Sequence, residues 1–166
     1  MKVGVISDTH GNIKDARRAA RRLVENGARL IIHLGDGVGD AIEIEKSEGV
    51  PVQYVAGNCD NHPDAATEQH FSWKGLGVLA VHGHQSDMNR YHVEERRQKT
   101  LDKMANLAVS LDAGIVLYGH THHADDFVHS GVRFINPGAL DLGTSDKSCC
   151  LLDIEEERVT VEYFHI

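Results

Sequence analysis

Val3-Gly4-Val5-Ile6-Ser7-Asp8-Thr9-His10-Gly11-Asn12 decides how the chain is read. Val3 to Ile6 is a short run rich in β-branched residues, the mark of a buried strand. It gives way at once to a small polar loop in which Asp8 and His10 stand two apart. Residues two apart on an extended chain face the same side, so a carboxylate and an imidazole leave this strand end together. Downstream, Ala16, Ala19, Ala20, Leu23 and Val24 recur at helical spacing, with Arg17, Arg18, Arg21 and Arg22 on the other face. Gly27 is placed to end that helix.

The unit then repeats. Arg29 to Leu34 reads as a second strand, closing on Gly35-Asp36-Gly37-Val38-Gly39-Asp40. A short helix is expected from about Ala41 to Ser47, with Asp40 as its N-cap. Val50 to Val55 is a third strand, running into Ala56-Gly57-Asn58-Cys59-Asp60. Strand, helix, strand, helix, strand predicts parallel strands joined by crossover helices, an α/β fold. In such sheets ligands bind at the carboxyl ends of the strands, so the three loops should meet.

Residues 61–74 show no clear period. Gly75 to Val81 is a strand ending in His82-Gly83-His84-Gln85, and a long helix is expected from about His92 to Leu111. Gly114 to Tyr118 is a strand delivering Gly119-His120-Thr121-His122-His123, where the period-two argument again aims His120 and His122 together. The pattern then changes. Phe127 to His129 and Val132 to Ile135 flank the hairpin signal Ser130-Gly131, and Asn136-Pro137-Gly138 is a turn. Cys149 to Ile154 and Val159 to Phe164 form another hairpin. The C-terminal part should therefore be antiparallel, a second sheet or a sheet edge.

Composition narrows the function. The chain has 166 residues, which makes one domain over 1–166 the expectation. Its 17 Lys and Arg against 25 Asp and Glu give a net charge of −8, which argues against an electrostatic nucleic-acid binder. The arginines at 17, 18, 21 and 22 read as a solvated helix face. Three cysteines, Cys59, Cys149 and Cys150, fit no disulfide framework. The N-terminal apolar run is too short for a signal peptide, and no stretch reaches the roughly 20 apolar residues of a membrane span. A cytoplasmic protein without a membrane partner is the expectation. Oligomeric state stays open, a homo-oligomer included.

Asp8, His10, Asp36, Asn58, His82, His120 and His122 each end an apolar strand. Each motif is weak alone; five in succession are strong together. Seven donors exceed what one four-coordinate zinc needs. They suit two divalent ions about 3.5–4 Å apart, bridged by a carboxylate. Mixed nitrogen and oxygen donors favour manganese, iron, zinc or nickel over magnesium or calcium, with manganese the first choice. Ser7 beside Asp8 and His10 does not make a nucleophile elbow, so a Ser-His-Asp reading is set aside.

The ordered set Asp8-x-His10, Gly35-Asp36, Gly57-Asn58-x-Asp60, His82-Gly83-His84 and Gly119-His120-x-His122 resembles the calcineurin-like metallophosphoesterases. Small size and the Asn136-Pro137-Gly138 turn look most like their compact branch of bacterial and archaeal phosphodiesterases, which also includes the retromer subunit Vps29. The resemblance implies a four-layer α/β/β/α sandwich. It implies that Asp8, His10 and His122 hold one ion, that Asn58, His82 and His120 hold the other, and that Asp36 bridges both. It also implies hydrolysis of a small phosphodiester by a metal-bridging water, with Asp36, Asn58, Cys59 and His84 around the reacting phosphate. The rival reading is a Vps29-like scaffold for protein interaction with little or no catalysis.

Cys59 is the departure. Many relatives carry His there, taken to protonate the leaving oxygen, and a neutral thiol is a poorer acid near pH 7. Activated diesters should therefore be preferred over alkyl monoesters. His84 and His123 are candidate replacements for the acid, while His33, inside a strand, reads as structural. Asn12 and Asp40 either orient ligands or cap helices.

Overall fold

The computed structural model describes residues 1–88, 93–156 and 158–166. The first sixty residues form β1 (Lys2–Ile6), α1 (Ile13–Glu25), β2 (Leu30–His33), α2 (Val38–Glu48) and β3 (Val52–Tyr54). β1, β2 and β3 are parallel neighbours, as the alternation requires. β4 (Glu68–Trp73) and β5 (Leu76–Val81) pair antiparallel, followed by α3 (Glu94–Ser110) and β6 (Ile115–Leu117). Two hairpins close the chain: β7 (Ala124–His129) with β8 (Val132–Pro137), and β9 (Ser148–Glu155) with β10 (Arg158–His165).

The strands make two five-stranded sheets, ordered β10-β9-β1-β2-β3 and β4-β5-β6-β8-β7. Alternation along each strand explains the layering. Ile6 and Ile31 face the buried Ala16, Ala19, Ala20 and Leu23 of α1 and Ile44 of α2. Val3, Val5, Ile32 and Leu34 face the other way and meet Val78, Ala80, Ile115, Leu117 and Ile135 of the second sheet. The outer side of that sheet, with Leu79, Val81, Val116 and Phe134, packs on Leu101, Met104, Ala105 and Ala108 of α3. The result is the four-layer α/β/β/α architecture. Each large side chain so buried stabilises the fold by roughly 1.5–3 kcal/mol before entropy is counted.

Two expectations change, one is made specific and one falls partly outside the described residues. Asp40 does not cap α2: the helix begins at Val38 with Gly37 at the cap position, and the Asp40 carboxylate accepts the Gly11 N–H at 2.9 Å. Residues 61–74 are not patternless, since they contain β4, whose turn places Lys74 and Gly75 at φ 50° and 84°. Positive φ at both central residues is the geometry that matches strand twist in a two-residue hairpin. The β9–β10 hairpin joins the first sheet, with Leu152 of β9 opposite Val3 of β1, whereas β7–β8 supplies the edge of the second. α3 starts at Glu94, and the expected start at His92 lies outside the described residues.

Candidate metal centre

Most of the strand-end groups converge on one point. β1, β2, β5 and β6 all point their carboxyl ends there, carrying the loops that begin at Asp8, Asp36, His82 and His120. Five of the singled-out residues leave the strand conformation altogether: Asp8, His10, Asp36, His120 and His122 have φ between 45° and 67°. The period-two argument is therefore corrected, because these side chains are aimed by left-handed turns and not by strand alternation. Left-handed non-glycine residues cost of order 1–3 kcal/mol each and persist where surrounding bonds over-determine them.

Those bonds are visible at Asp8. Its Oδ2 accepts the Ser7 hydroxyl and the backbone N–H of His120, the latter at 3.0 Å. Its Oδ1 is fully buried and has no hydrogen-bond partner among the described residues. That oxygen lies 3.3 Å from His122 Nε2 and 4.0 Å from His82 Nε2. A close packing of Gly119 on Ser7 permits this, since a Cβ at Gly119 would fall 2.0 Å from Ser7 Oγ.

Asp36 occupies the middle. Its Oδ1 accepts the Cys59 N–H at 2.8 Å. Its Oδ2 stands 3.6 Å from His10 Nε2 on one side and 3.4 Å from His82 Nε2 on the other. Burial opposes its charge, but His82 and the Cys59 N–H outweigh that and hold the carboxyl well below its usual range. Gly57 must lack a side chain here, because a Cβ would sit 2.0 Å from Asp36 Oδ1.

His82 has a fixed tautomer. Its Nδ1 lies 2.7 Å from the Leu34 carbonyl, which can only accept, so Nδ1 carries the proton. Its Nε2 then turns toward Asn58 Oδ1 at 3.1 Å, Asp36 and Asp8. Burial disfavours protonation of this ring, yet Asp36 and Asp8 prevail and raise its pKa. In the neutral ring lone pairs face lone pairs at 3.1–4.0 Å, an arrangement that suits a cation between them. Donors bound to one ion at about 2.1 Å stand about 3.0–3.4 Å apart, which the shorter contacts match. On the other side His10 Nε2 and His122 Nε2 are 3.4 Å apart, close enough for both to serve one ion.

Three overlapping groups could each hold an ion: Asp8, His10 and His122; His10, Asp36 and Cys59; and Asp8, Asp36 and His82, with donor atoms within 4.8 Å in each. His120 is outside these groups; its ring packs 5.0 Å from that of His82, and burial and His82 lower its pKa. His84 follows in a 3₁₀ turn, its ring 5.4 Å from His82 and its Nδ1 buried without a partner among the described residues. The Cys59 thiol is exposed, and burial of its surroundings together with Asp36 pushes its pKa up to about 11. His123 instead lines a neighbouring cavity of about 670 Å³. A smaller hollow of about 300 Å³, bounded by His10, Asp36 and Cys59, opens over the centre.

The chain has relatives among known proteins. The model of the calcineurin-like phosphoesterase superfamily domain matches residues 1–157. The chain belongs to the calcineurin-like phosphoesterase superfamily. A superfamily relative, the probable metallophosphoesterase YsnB of Bacillus subtilis, is 30% identical over 166 residues, covering 99% of this chain and 90% of that one. The phosphodiesterase MJ0936 of Methanocaldococcus jannaschii is 27% identical over 142 residues, 83% of either chain. Among solved structures, Vps29 of Entamoeba histolytica in complex with zinc superposes with a TM-score of 0.71 at 21% identity, covering 99% of each chain.

Further residues hold this superfamily centre in place, and of these Asp141 is the one the linear sequence does not single out. The Asp60 carboxylate accepts four backbone N–H groups, from Asp36 (2.7 Å), Gly37 (2.9 Å), Val38 (2.9 Å) and Gly57 (2.8 Å). Asp141 places Oδ2 3.7 Å from His122 Nδ1, and its own Oδ1 accepts the Thr144 N–H. Asn136 donates to the Gly119 carbonyl and to Thr121 Oγ1, both at 3.0 Å, so the Asn136-Pro137-Gly138 segment supports the His120 loop. Asn12 donates to the Leu140 carbonyl and to Asp15 and makes no side-chain cap to α1. His33 is fully buried, accepts the Gly35 N–H at Nδ1 and bonds Thr9 Oγ1 at Nε2. Burial takes its pKa down to about 4, so it is a neutral brace between the Asp8 and Asp36 loops.

Proposed function

We propose that this chain is a dinuclear metal-dependent phosphodiesterase. Asp8, His10 and His122 would hold one divalent cation, Asn58, His82 and His120 the second, and Asp36 would serve both. The observation that carries this reading is the position of Asp36 Oδ2 between His10 and His82, one histidine from each half of the donor set. The unpartnered Asp8 Oδ1 supports it, as does the similarity to the phosphodiesterase MJ0936. Manganese is the expected metal, with nickel, zinc or iron able to use the same donors.

Held there, two divalent cations would activate water near neutral pH and offset charge on the phosphoryl oxygens. The protein's part is to position. Asp36 and Asp8 lower the net charge of the cation pair without cancelling it, so a phosphate diester is still attracted. His10 and Cys59 bound the hollow in which the ester would lie. Cys59 keeps its proton at neutral pH and is a weak acid toward an alkoxide, which favours leaving groups that need little protonation. His84, its ring 5.4 Å from that of His82, is the other candidate for leaving-group protonation.

A scaffold role like that of Vps29 would not require this donor set. The free state of Cys59, Cys149 and Cys150 supports a reducing cytoplasm. No helix among the described residues is long and apolar enough to cross a membrane. The test is to strip metal, restore Mn²⁺, Ni²⁺, Zn²⁺ or Mg²⁺ singly, and assay bis-p-nitrophenyl phosphate against alkyl and aryl monoesters. Diester turnover should lead. No hydrolysis of any ester with any ion would return the reading to a scaffold.

A further inference from the structure

The two halves of the metal centre differ in the chemistry of their donors. Around His82 the donors are nitrogen and oxygen, from Asp8, Asp36 and the Asn58 carbonyl. Around His10 a sulfur is within reach. The donor atoms of His10, Asp36 and Cys59 all lie within 4.8 Å of one another, and the same three residues bound the 300 Å³ hollow. Cys59 is exposed and has a single side-chain torsion, so one rotation adjusts its sulfur toward an ion held by the other two.

The loop that carries this sulfur is fixed to Asp36. The Cys59 N–H donates to Asp36 Oδ1 at 2.8 Å, and the Asp60 carboxylate accepts the N–H groups of both Asp36 and Gly57. The Asn58 side chain spans the two halves. Its Oδ1 is 3.1 Å from His82 Nε2, and its Nδ2 donates to Cys59 Sγ at 3.4 Å. A hydrogen bond donated to sulfur stabilises it when it carries charge. A separate observation places an ion in this half. Asp8 Oδ1 is fully buried, has no hydrogen-bond partner among the described residues, and lies 3.3 Å from His122 Nε2, which is itself 3.4 Å from His10 Nε2.

Softness then decides which ions use the sulfur. Thiolate is a good ligand for zinc, and for cobalt as its spectroscopic substitute, whereas manganese and magnesium prefer oxygen. We propose that Cys59 selects the metal: it ligates a thiophilic ion together with His10 and Asp36, and remains a thiol beside manganese. When the sulfur–metal bond forms, the thiol proton leaves to solvent. This rests on the divalent-cation part of the proposed function and not on its phosphodiester chemistry.

The experiment strips metal from the full chain and adds Co²⁺, reading the near-ultraviolet thiolate-to-cobalt charge-transfer band. The band should grow to saturation in the parent and be absent in Cys59→Ser. Cys149 and Cys150 are fully buried in the core and do not supply it. Zinc outcompetes manganese at most nitrogen and oxygen sites, so the second readout is the change on substitution. In competition with a chromophoric chelator, Cys59→Ser should weaken Zn²⁺ binding about tenfold or more and Mn²⁺ binding less than about twofold. Co²⁺-saturated parent without the band, or Zn²⁺ affinity unchanged in Cys59→Ser, overturns the proposal. Neither readout uses an ester, so a failure to hydrolyse bis-p-nitrophenyl phosphate overturns the phosphodiesterase reading and leaves metal selection by Cys59 standing.

Discussion

Asp60 accepts the backbone N–H of Asp36 at 2.7 Å, and so ties the third loop of the parallel sheet to the second. Three more N–H groups converge on the same carboxylate, from Gly37, Val38 and Gly57. The start of α2 and the position of Asp36 both depend on it. Asp60→Ala leaves those donors without their acceptor and should lower unfolding free energy by about 2–3 kcal/mol. Urea unfolding measures this, and metal affinity should fall with it. An unchanged midpoint would show that water replaces the carboxylate at no cost.

Asp36 itself is a sharper target. Asp36→Ala removes the oxygen standing between His10 and His82. Metal content after saturation should drop from two ions to one or fewer, and diester turnover by about a thousandfold or more. Equilibrium dialysis with elemental analysis gives the first quantity. Retention of two ions would mean that Asp36 does not bridge.

His120 and His122 should separate the two halves. His122 sits with Asp8 and His10, whereas His120 packs on His82. His122→Ala and His120→Ala should each lose one ion preferentially and each depress turnover. Stepwise metal titration by calorimetry distinguishes them, since the two variants should retain different binding steps. Full metal content and activity without His122 would sink the assignment.

His33 makes stability depend on pH. Its folded pKa of about 4 lies below the ordinary 6.5, because burial penalises the charged ring. The unfolded chain therefore binds the proton first as pH falls. Stability from this group is complete above about pH 6.5 and is lost progressively toward pH 4, by about 3 kcal/mol in all. Metal-free protein unfolded in urea across that range should show the loss, and His33→Asn should flatten the curve. Equal slopes in variant and parent would refute the role.

Much of this fold is local in origin and could be read from the chain. Val3 to Ile6 and the Ala16 to Leu23 stripe announce β1 and α1 because their partners lie within one crossover. β4 was illegible because Glu-Gln-His-Phe-Ser-Trp is mostly half-exposed, and because its turn puts a lysine at positive φ. The sheet joined by β9 is set by pairing Leu152 with Val3, a contact no local pattern encodes. At the centre, strand-end carboxylates and imidazoles were conspicuous by type. Their aim was not, since left-handed turns at Asp8, His10, Asp36, His120 and His122 place them. Asp60 closes the Gly57-Asn58-x-Asp60 motif, but its four backbone contacts, like the contact of Asp141 with His122, exist only once the chain has folded.

Cys59 offers a test of leaving-group preference. Its thiol, with a pKa near 11, should serve alkyl esters poorly. Cys59→His should raise the ratio of alkyl to p-nitrophenyl ester turnover about tenfold, read by phosphate release. A ratio that does not move would mean another group, such as His84, already protonates the leaving oxygen.

The most direct measurement is the rate of bis-p-nitrophenyl phosphate hydrolysis by metal-stripped protein as Mn²⁺ is added in known equivalents. Two cations acting across Asp36 predict negligible rate at zero equivalents, little at one and a plateau at two. A plateau at one equivalent, or hydrolysis without metal, would contradict the account.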